Sequence, residues 1–348
     1  MENSVLLHPY FRNRIMNKVR KYTIIGACVA ASAGIAILTS LFFSNPIKNQ
    51  EETILYIDKD DTPDSVWNKA SLGWRGKLLN KILPYKHVRT GRYVVEPNTG
   101  ILMLYRKLRN GQQDPILLTI PTCRTMEKLA GALSTKLMID SLTLINAFTD
   151  EEFCAQIGYN TATLPALFIP NTYEVYWDIT LNGLMSRMQK ENKVFWNTER
   201  EKRAKTLNLT HEEIYTLASI VDEETANNAE KPIIAGLYLN RLNKGMPLQA
   251  DPTVKFAVGD FALRRITGEH LKKESPYNTY INIGLPPGPI RIASIAGLDA
   301  VLNHQVHNYL YMCAKADFSG THEYAANFNE HKKNARNYIK ALNARNIH

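Results

Sequence analysis

Apolar and polar positions divide the chain into three regimes. In the first, no charged residue occurs from Tyr22 to Ile47, and residues 24–43 read IIGACVAASAGIAILTSLFF. A run of about 20 apolar residues matches the hydrocarbon core of a bilayer at the helical rise. It predicts a membrane-spanning helix over 22–44, behind a basic tail (1–21) and ahead of a polar linker (45–52). In the second regime, 53–180, short units alternate. Thr53, Leu55 and Ile57 interleave with Ile54, Tyr56 and Asp58, a strand pattern. Thr62 or Asp64 can cap a helix running to residue 83. Gly91 to Val95 reads as a strand ending in a Pro97-Asn98-Thr99-Gly100 turn, with a helix at 102–108, a strand at 115–120 and a helix at 126–137. The third regime, 181–348, is mainly helical, with helices at 182–196, 210–225, 293–303 and 327–346 and one from Pro232 to near Gly245. Residues 284–289 (GLPPGP) form a stiff loop, and 309–314 read as a buried strand. The fold class is α+β.

The helix at 210–225 has the clearest signature. Thr210-His211-Glu212-Glu213 is a capping box, and Ile214, Leu217, Ala218 and Val221 follow at i, i+3, i+4 and i+7. Asp222, Glu223 and Glu224 close it. At 100° per residue Glu223 points about 170° from the apolar stripe, into solvent, while Asp222 and Glu224 lie roughly 70–90° to either side. A carboxylate at the rim of an apolar face is partly desolvated. That raises its pKa, and a carboxylic acid still protonated near neutral pH can donate to a leaving oxygen. Spacing alone leaves Asp222 and Glu224 both open. Acidic residues at a helix C-terminus oppose the macrodipole, which hints at a purpose other than helix stability.

Charge and cysteine content add little. Of the formal net charge of +9, the tail supplies a share through Arg12, Arg14, Lys18, Arg20 and Lys21 against Glu2 alone. By the positive-inside rule this tail stays cytoplasmic and the rest of the chain crosses the membrane. A cleaved signal peptide has an apolar region of about 7–15 residues, shorter than this one. A lipoprotein reading of Ile25-Gly26-Ala27-Cys28 puts the apolar stretch on the wrong side of the cysteine. The mild basic remainder favours an anionic polymer or membrane surface, and no basic, aromatic-interleaved stripe argues for nucleic acid. Cys123, Cys154 and Cys313 make no CxxC and read as buried thiols, although a disulfide among them is open outside the cytoplasm. His304, His307, His322 and His331 lack metalloenzyme spacing, so neither a metal nor another cofactor is expected.

Several blocks together resemble the MltG (YceG-like) endolytic transglycosylases. They are residues 217–225 (LASIVDEET), 235–242 (AGLYLNRL), 245–254 (GMPLQADPTV), 275–280 (SPYNTY) and 284–290 (GLPPGPI), preceded by 91–93 and 168–173. The resemblance covers roughly residues 50–340. It implies one membrane span, a LysM-like α/β region within 53–180, and a mainly helical, lysozyme-like catalytic region at 181–348. Where the family helix carries Glu-Lys-Glu-Thr, this chain has Asp222-Glu223-Glu224-Thr225, so the family's catalytic acid falls on Glu224. The chain departs from the pattern at Pro165-Ala166 and after Pro121, where Glu-Gly pairs are expected, and at Thr321-His322-Glu323-Tyr324.

The resemblance implies cleavage of the MurNAc-β-1,4-GlcNAc bond in nascent peptidoglycan strands, leaving 1,6-anhydro-MurNAc ends and terminating elongation. It also implies a place at the bacterial plasma (inner) membrane beside peptidoglycan synthases. Gln249, Asp251, Thr253, Tyr277, Asn278 and Tyr280 are candidates for glycan binding, because amide, hydroxyl and aromatic groups suit sugar rings. A turn or packing role is the competing reading for each. Two rival functions are a non-catalytic, membrane-anchored peptidoglycan-binding scaffold and a muramidase-type hydrolase.

Overall fold

The computed structural model describes residues 9–43, 51–85, 87–263 and 265–345. Most of the predicted linker and the first residues of the basic tail lie outside these. Helix α1 (Pro9–Phe43) takes in the remainder of the tail, and its stretch Asn13–Ser40 is long and apolar enough to cross a membrane. Ile24, Val29, Ile35 and Ile37 are exposed along it, so the protein itself provides no apolar cover for this surface.

Two compact units are present, Met1–Pro115 and Ile116–His348. After α1, the first contains strand β1 (Thr53–Ile57), helices α2 (Pro63–Lys69) and α3 (Gly73–Ile82), strand β2 (Gly91–Val95) and helix α4 (Ile101–Asn110). β1 and β2 pair antiparallel from Thr53↔Val95 to Ile57↔Gly91. Alternation puts Leu55, Ile57, Tyr93 and Val95 inside with Trp67, Leu104 and Leu108. The two strands flank a helix pair in the chain. The single helix predicted to residue 83 is broken, because Ser71 and Gly73 adopt positive φ (58° and 48°). The turn lets α3 fold back until Gly76 lies against Trp67, leaving no room for a Cβ.

The second unit opens with β3 (Ile116–Thr119), α5 (Met126–Ser134), α6 (Ser141–Thr149), α7 (Glu151–Gln156) and β4 (Thr172–Val175). Helices α8 (Leu181–Phe195), α9 (Thr198–Leu207), α10 (His211–Glu224), α11 (Lys231–Asn243), α12 (Asp251–Val258), α13 (Gly268–Leu271) and α14 (Ile295–Leu302) follow. The chain closes with β5 (Tyr311–Ala314), β6 (His322–Ala325) and α15 (Phe328–Ala344). β3 pairs with β4 and β5 with β6, both antiparallel. One core runs from Leu118 to Leu302. The stretch 116–180, grouped by its mixed pattern with residues 53–115, therefore contributes Leu118, Leu129, Leu144 and Phe168 to the core of the helices that follow it. β5, read from its apolar run as buried, is only half-buried.

Helix α10 is the axis of this unit. Ile214 through Asp222 are all buried, so the helix is enclosed and not one-sided. Thr216 and Ser219, inside this run, both find partners. Thr216 donates to the Glu212 carbonyl (2.7 Å), and Ser219 donates to the Thr216 carbonyl (2.7 Å) while accepting the Ile290 amide (3.0 Å). α11, α12 and α14 pack around it.

The docking of α11 requires a glycine. A Cβ on Gly236 would stand 2.3 Å from the Gln305 carbonyl oxygen and 2.9 Å from His307 Nε2. In an open helix Gly→Ala gains up to about 1 kcal/mol. Here the clash is with backbone, so Gly236→Ala is expected to lose about 1–3 kcal/mol, the usual cost of overpacking. Thermal unfolding in detergent micelles checks this, and a raised Tm in the alanine variant contradicts it.

Candidate active site

The C-terminus of α10 presents Asp222, Glu223 and Glu224 to three different surroundings. Asp222 is buried and forms an ion pair with Lys231 Nζ at 2.8 Å, both side chains nearly inaccessible. It also accepts from the Ser294 amide (2.5 Å) and hydroxyl (2.9 Å), which fixes the start of α14. Gly297 packs so closely that a Cβ would lie 2.6 Å from Asp222 Oδ1. Every lone pair of consequence is in use, so Asp222 is a strut.

Glu223 does not point into solvent as its helical angle predicted. Its oxygens accept from Arg124 Nε and Nη2 (2.8 Å each) and from Arg291 Nη1 (2.9 Å). The angle was correct for an isolated amphipathic helix, but α10 is enclosed. The strand-to-helix connection carrying Arg124 and the loop carrying Arg291 cover this face and bring cations with them.

Glu224 is different. Among the described residues no cation lies within ion-pair distance of it. It is partly buried, and the Tyr238 hydroxyl of α11 donates to Oε1 at 2.6 Å. Burial pushes its pKa up to about 7 from 4.5, helped by the negative charge of Asp251, while the Tyr238 bond and Lys255 pull the other way. A carboxyl group poised near neutrality can give a proton and take one back.

Glu224 lies in a cleft of about 230 Å³ with Tyr238, Arg241, Gln249, Asp251, Tyr280 and His322 among its walls. Three of the six proposed glycan-binding residues, Gln249, Asp251 and Tyr280, line it too. Gln249 is held at a positive φ of 52°, with its amide on the Thr279 carbonyl (3.0 Å) and its Oε1 accepting from Arg241 (3.3 Å). Tyr280 donates to Asp251 Oδ1 at 2.6 Å. The other three lie elsewhere. Thr253 is inaccessible and bonded to the Ala250 carbonyl (2.7 Å) and the Thr279 hydroxyl (2.8 Å). Asn278 is also inaccessible; its Nδ2 donates to the Leu271 and Lys273 carbonyls (3.0 and 2.8 Å) and shapes the turn. Tyr277 packs on Phe256 (centroids 4.6 Å apart) in a second cleft. Cys123 and Pro165, at two of the departures from the family pattern, line that second cleft as well.

Sequence reasoning missed three contributors. Tyr238 sat within the helix pattern of α11 and read as packing. Arg241 is buried and clamps the cleft, donating to the carbonyls of Leu310 (2.6 Å), Pro247 (3.1 Å) and Leu248 (2.9 Å). Glu230 accepts from the His322 amide (2.8 Å) and the Tyr324 hydroxyl (3.0 Å), tying the loop after Glu224 to the β5–β6 hairpin. Burial alone would raise the Glu230 pKa, but these donors hold it below the usual value. These partners lie six or more residues away, outside helical spacing, so the available signals were residue type and, for Tyr238 and Arg241, a place in the block 235–242. All four cysteines are free thiols, Cys154 buried and Cys123 and Cys313 half-buried.

The two edge carboxylates should respond oppositely to neutralisation. Asp222→Asn leaves Lys231 buried without its counter-charge, and a loss of about 3–5 kcal/mol is expected. For Glu224 the folded pKa, about 7, exceeds the free value of 4.5. Its contribution is therefore complete below 4.5 and is lost as pH rises towards 7. Glu224→Gln removes that loss, so at pH 8 the variant should exceed wild type by roughly 2–3 kcal/mol, with little difference at pH 4. Denaturant titrations at both pH values test the pair. Equal stability of Glu224→Gln and wild type at pH 8 contradicts the burial argument.

A sequence model of the YceG-like family matches residues 61–337. An endolytic murein transglycosylase of Bacillus subtilis is 29% identical over 271 residues, covering 73% of this chain and 74% of that protein. One of Streptococcus pneumoniae is 26% identical over 310 residues, covering 78% of this chain; the chain spans 55% of that longer relative. In fold, it is similar to the crystal structure of a YceG-like protein of Listeria monocytogenes, with a TM-score of 0.55 and 23% identity over 82% of this chain and 99% of that one. With the family pattern spanning both compact units and the fold matching alongside it, the chain belongs to the YceG-like family.

Proposed function

We propose that this protein is an endolytic murein transglycosylase, cutting the MurNAc-β-1,4-GlcNAc bond within glycan strands with Glu224 as its one acid–base group. The observation that carries the reading is the setting of Glu224: partly buried, bonded to Tyr238, without a paired cation among the described residues, and facing a polar cleft. The named activity of its relatives agrees with it.

The chemistry follows from that setting. Protonated Glu224 gives its hydrogen to the GlcNAc O4 as the C1–O4 bond breaks. The 6-hydroxyl of the same MurNAc attacks C1, and its proton returns to the Glu224 carboxylate. One carboxyl group thus serves twice, no water is consumed, and a 1,6-anhydro end forms. General acid–base catalysis supplies roughly 10²–10⁴-fold, so Gln249, Asp251 and Tyr280 must add positioning and charge stabilisation. A hydrolase is the second reading, favoured by Asp251, whose carboxylate shares the cleft. A second carboxylate can activate water.

The basic tail and α1 support a single-pass anchor at the plasma membrane, tail inside and catalytic unit outside. There the enzyme would meet nascent strands beside a peptidoglycan synthase and terminate their growth.

Mass spectrometry of digested strands separates the readings. Wild type should release anhydro-MurNAc ends, and Glu224→Gln should release them at least 10³-fold more slowly. Reducing ends from wild type would establish the hydrolase, and no cleavage at all would leave only a binding protein.

A pH profile tests the proton itself. The donor form exists below about pH 7, so the rate should fall as pH rises through that value. The Tyr238 hydrogen bond favours the carboxylate, so Tyr238→Phe should move this alkaline limb to higher pH while lowering the maximal rate. A limb that stays in place, or moves to lower pH, excludes Glu224 as the group observed.

A further inference from the structure

A second cleft has a volume of about 420 Å³. Helix α12 contributes to both, with Asp251 lining the first and Phe256 lining the second. On α10 the neighbouring carboxylates divide in the same way, since Glu223 binds the two arginines of the second cleft.

The walls of this cleft are aromatic. Phe256 lies 4.6 Å from Tyr277 and 6.3 Å from Phe261, centroid to centroid. Two guanidinium groups, Arg124 and Arg291, share the single carboxylate of Glu223. Arg124 is substantially exposed and also stands over Phe261 at 5.5 Å. Arg291 is mostly buried and uses Nη1 on Glu223, but its Nε is buried with no hydrogen-bond partner among the described residues. An unpartnered buried donor costs about 1–3 kcal/mol, more when it is charged. Glu127 also lines the cleft, but it is exposed, where water screens its charge.

We infer that this cleft binds a carboxylate carried on a short, partly apolar chain, namely the acidic peptide borne by the MurNAc lactyl group of the strand. The identity of the ligand rests on the transglycosylase reading. A carboxylate entering the cleft meets two guanidinium groups that share the single carboxylate of Glu223, with the exposed Arg124 as its first contact. The rings pack the small aliphatic side chains on either side. The site makes the enzyme selective for strands that still carry peptides, since a denuded strand brings no carboxylate to the Arg124–Arg291 pair.

Calorimetry on the full chain in detergent micelles tests this without turnover. Glu224→Gln is titrated with GlcNAc-MurNAc-tetrapeptide and with the same disaccharide lacking the peptide. The peptide-bearing probe should bind at least tenfold more tightly, and adding Arg124→Gln should bring the ratio close to one. Arg291→Lys, which keeps the charge but loses the planar guanidinium, should also reduce the ratio, and near-UV dichroism checks the packing of each variant. Equal affinity for the two probes overturns the inference, as does a preference that survives both substitutions. Because binding is read in an inactive variant, absence of cleavage by wild type defeats the catalytic reading separately.

Discussion

Three consecutive carboxylates end a buried helix, and among the described residues cations meet only two of them. Between unit charges about 4 Å apart, Coulomb attraction ranges from roughly 1 kcal/mol in water to several at a protein surface, and desolvation costs more still. Three carboxylates at a helix C-terminus also face the negative end of the dipole. Lys231 meets Asp222, and Arg124 and Arg291 meet Glu223. Glu224 receives a neutral hydroxyl instead. A hydroxyl can stabilise a carboxylate but cannot hold it ionised against burial. The elevated pKa of Glu224 is therefore as much a product of where the cations were placed as of the glutamate itself.

The rest of the unit keeps that arrangement rigid. Arg241 reaches carbonyls on both sides of the cleft, and Asn240 beside it donates to the carbonyls of His307 (2.7 Å) and Tyr309 (3.1 Å). These bonds, and the bare surface of Gly236, let the 304–310 segment lie directly on α11. The hairpin that follows then contributes His322 to the cleft wall, held from behind by Glu230. Buried polar groups are costly unless satisfied, and once satisfied they permit only one arrangement. Gln249, at an unfavourable φ, is fixed by the same clamp.

Much of this was legible in sequence where the signal is local. The capping box at Thr210, the strand from Gly91 to Val95 and the termination of α11 near Gly245 all depend on residues within a few positions of each other. The pairing partners β4 and β6 are four residues each, too short for alternation to stand out, and appear through their ladders. Helical angle reduced three carboxylates to two but misplaced Glu223, because it takes no account of segments that cover the helix from 99 and 68 residues away. The choice between Asp222 and Glu224 likewise turns on Lys231 and Ser294. Thr253, Tyr277 and Asn278 looked like sugar ligands by residue type. Their surroundings, two internal hydrogen-bond networks and an aromatic stack in another cleft, are tertiary facts.

The bond between Tyr280 and Asp251 bears on why one carboxylate could suffice. A hydrolase needs its second carboxylate free to draw a proton from water. Asp251 already accepts a short hydrogen bond at Oδ1 from a phenol whose own pKa is raised by burial and by that bond. That bond occupies Oδ1 and fixes the orientation of the carboxylate, which suits Asp251 to holding a ring hydroxyl. Its negative charge still acts across the cleft, where it helps keep Glu224 protonated. Two acids in one cleft thus differ in their surroundings: Asp251 is held by Tyr280 at Oδ1, and Glu224, with Tyr238 on Oε1, is the one whose burial raises its pKa towards neutrality.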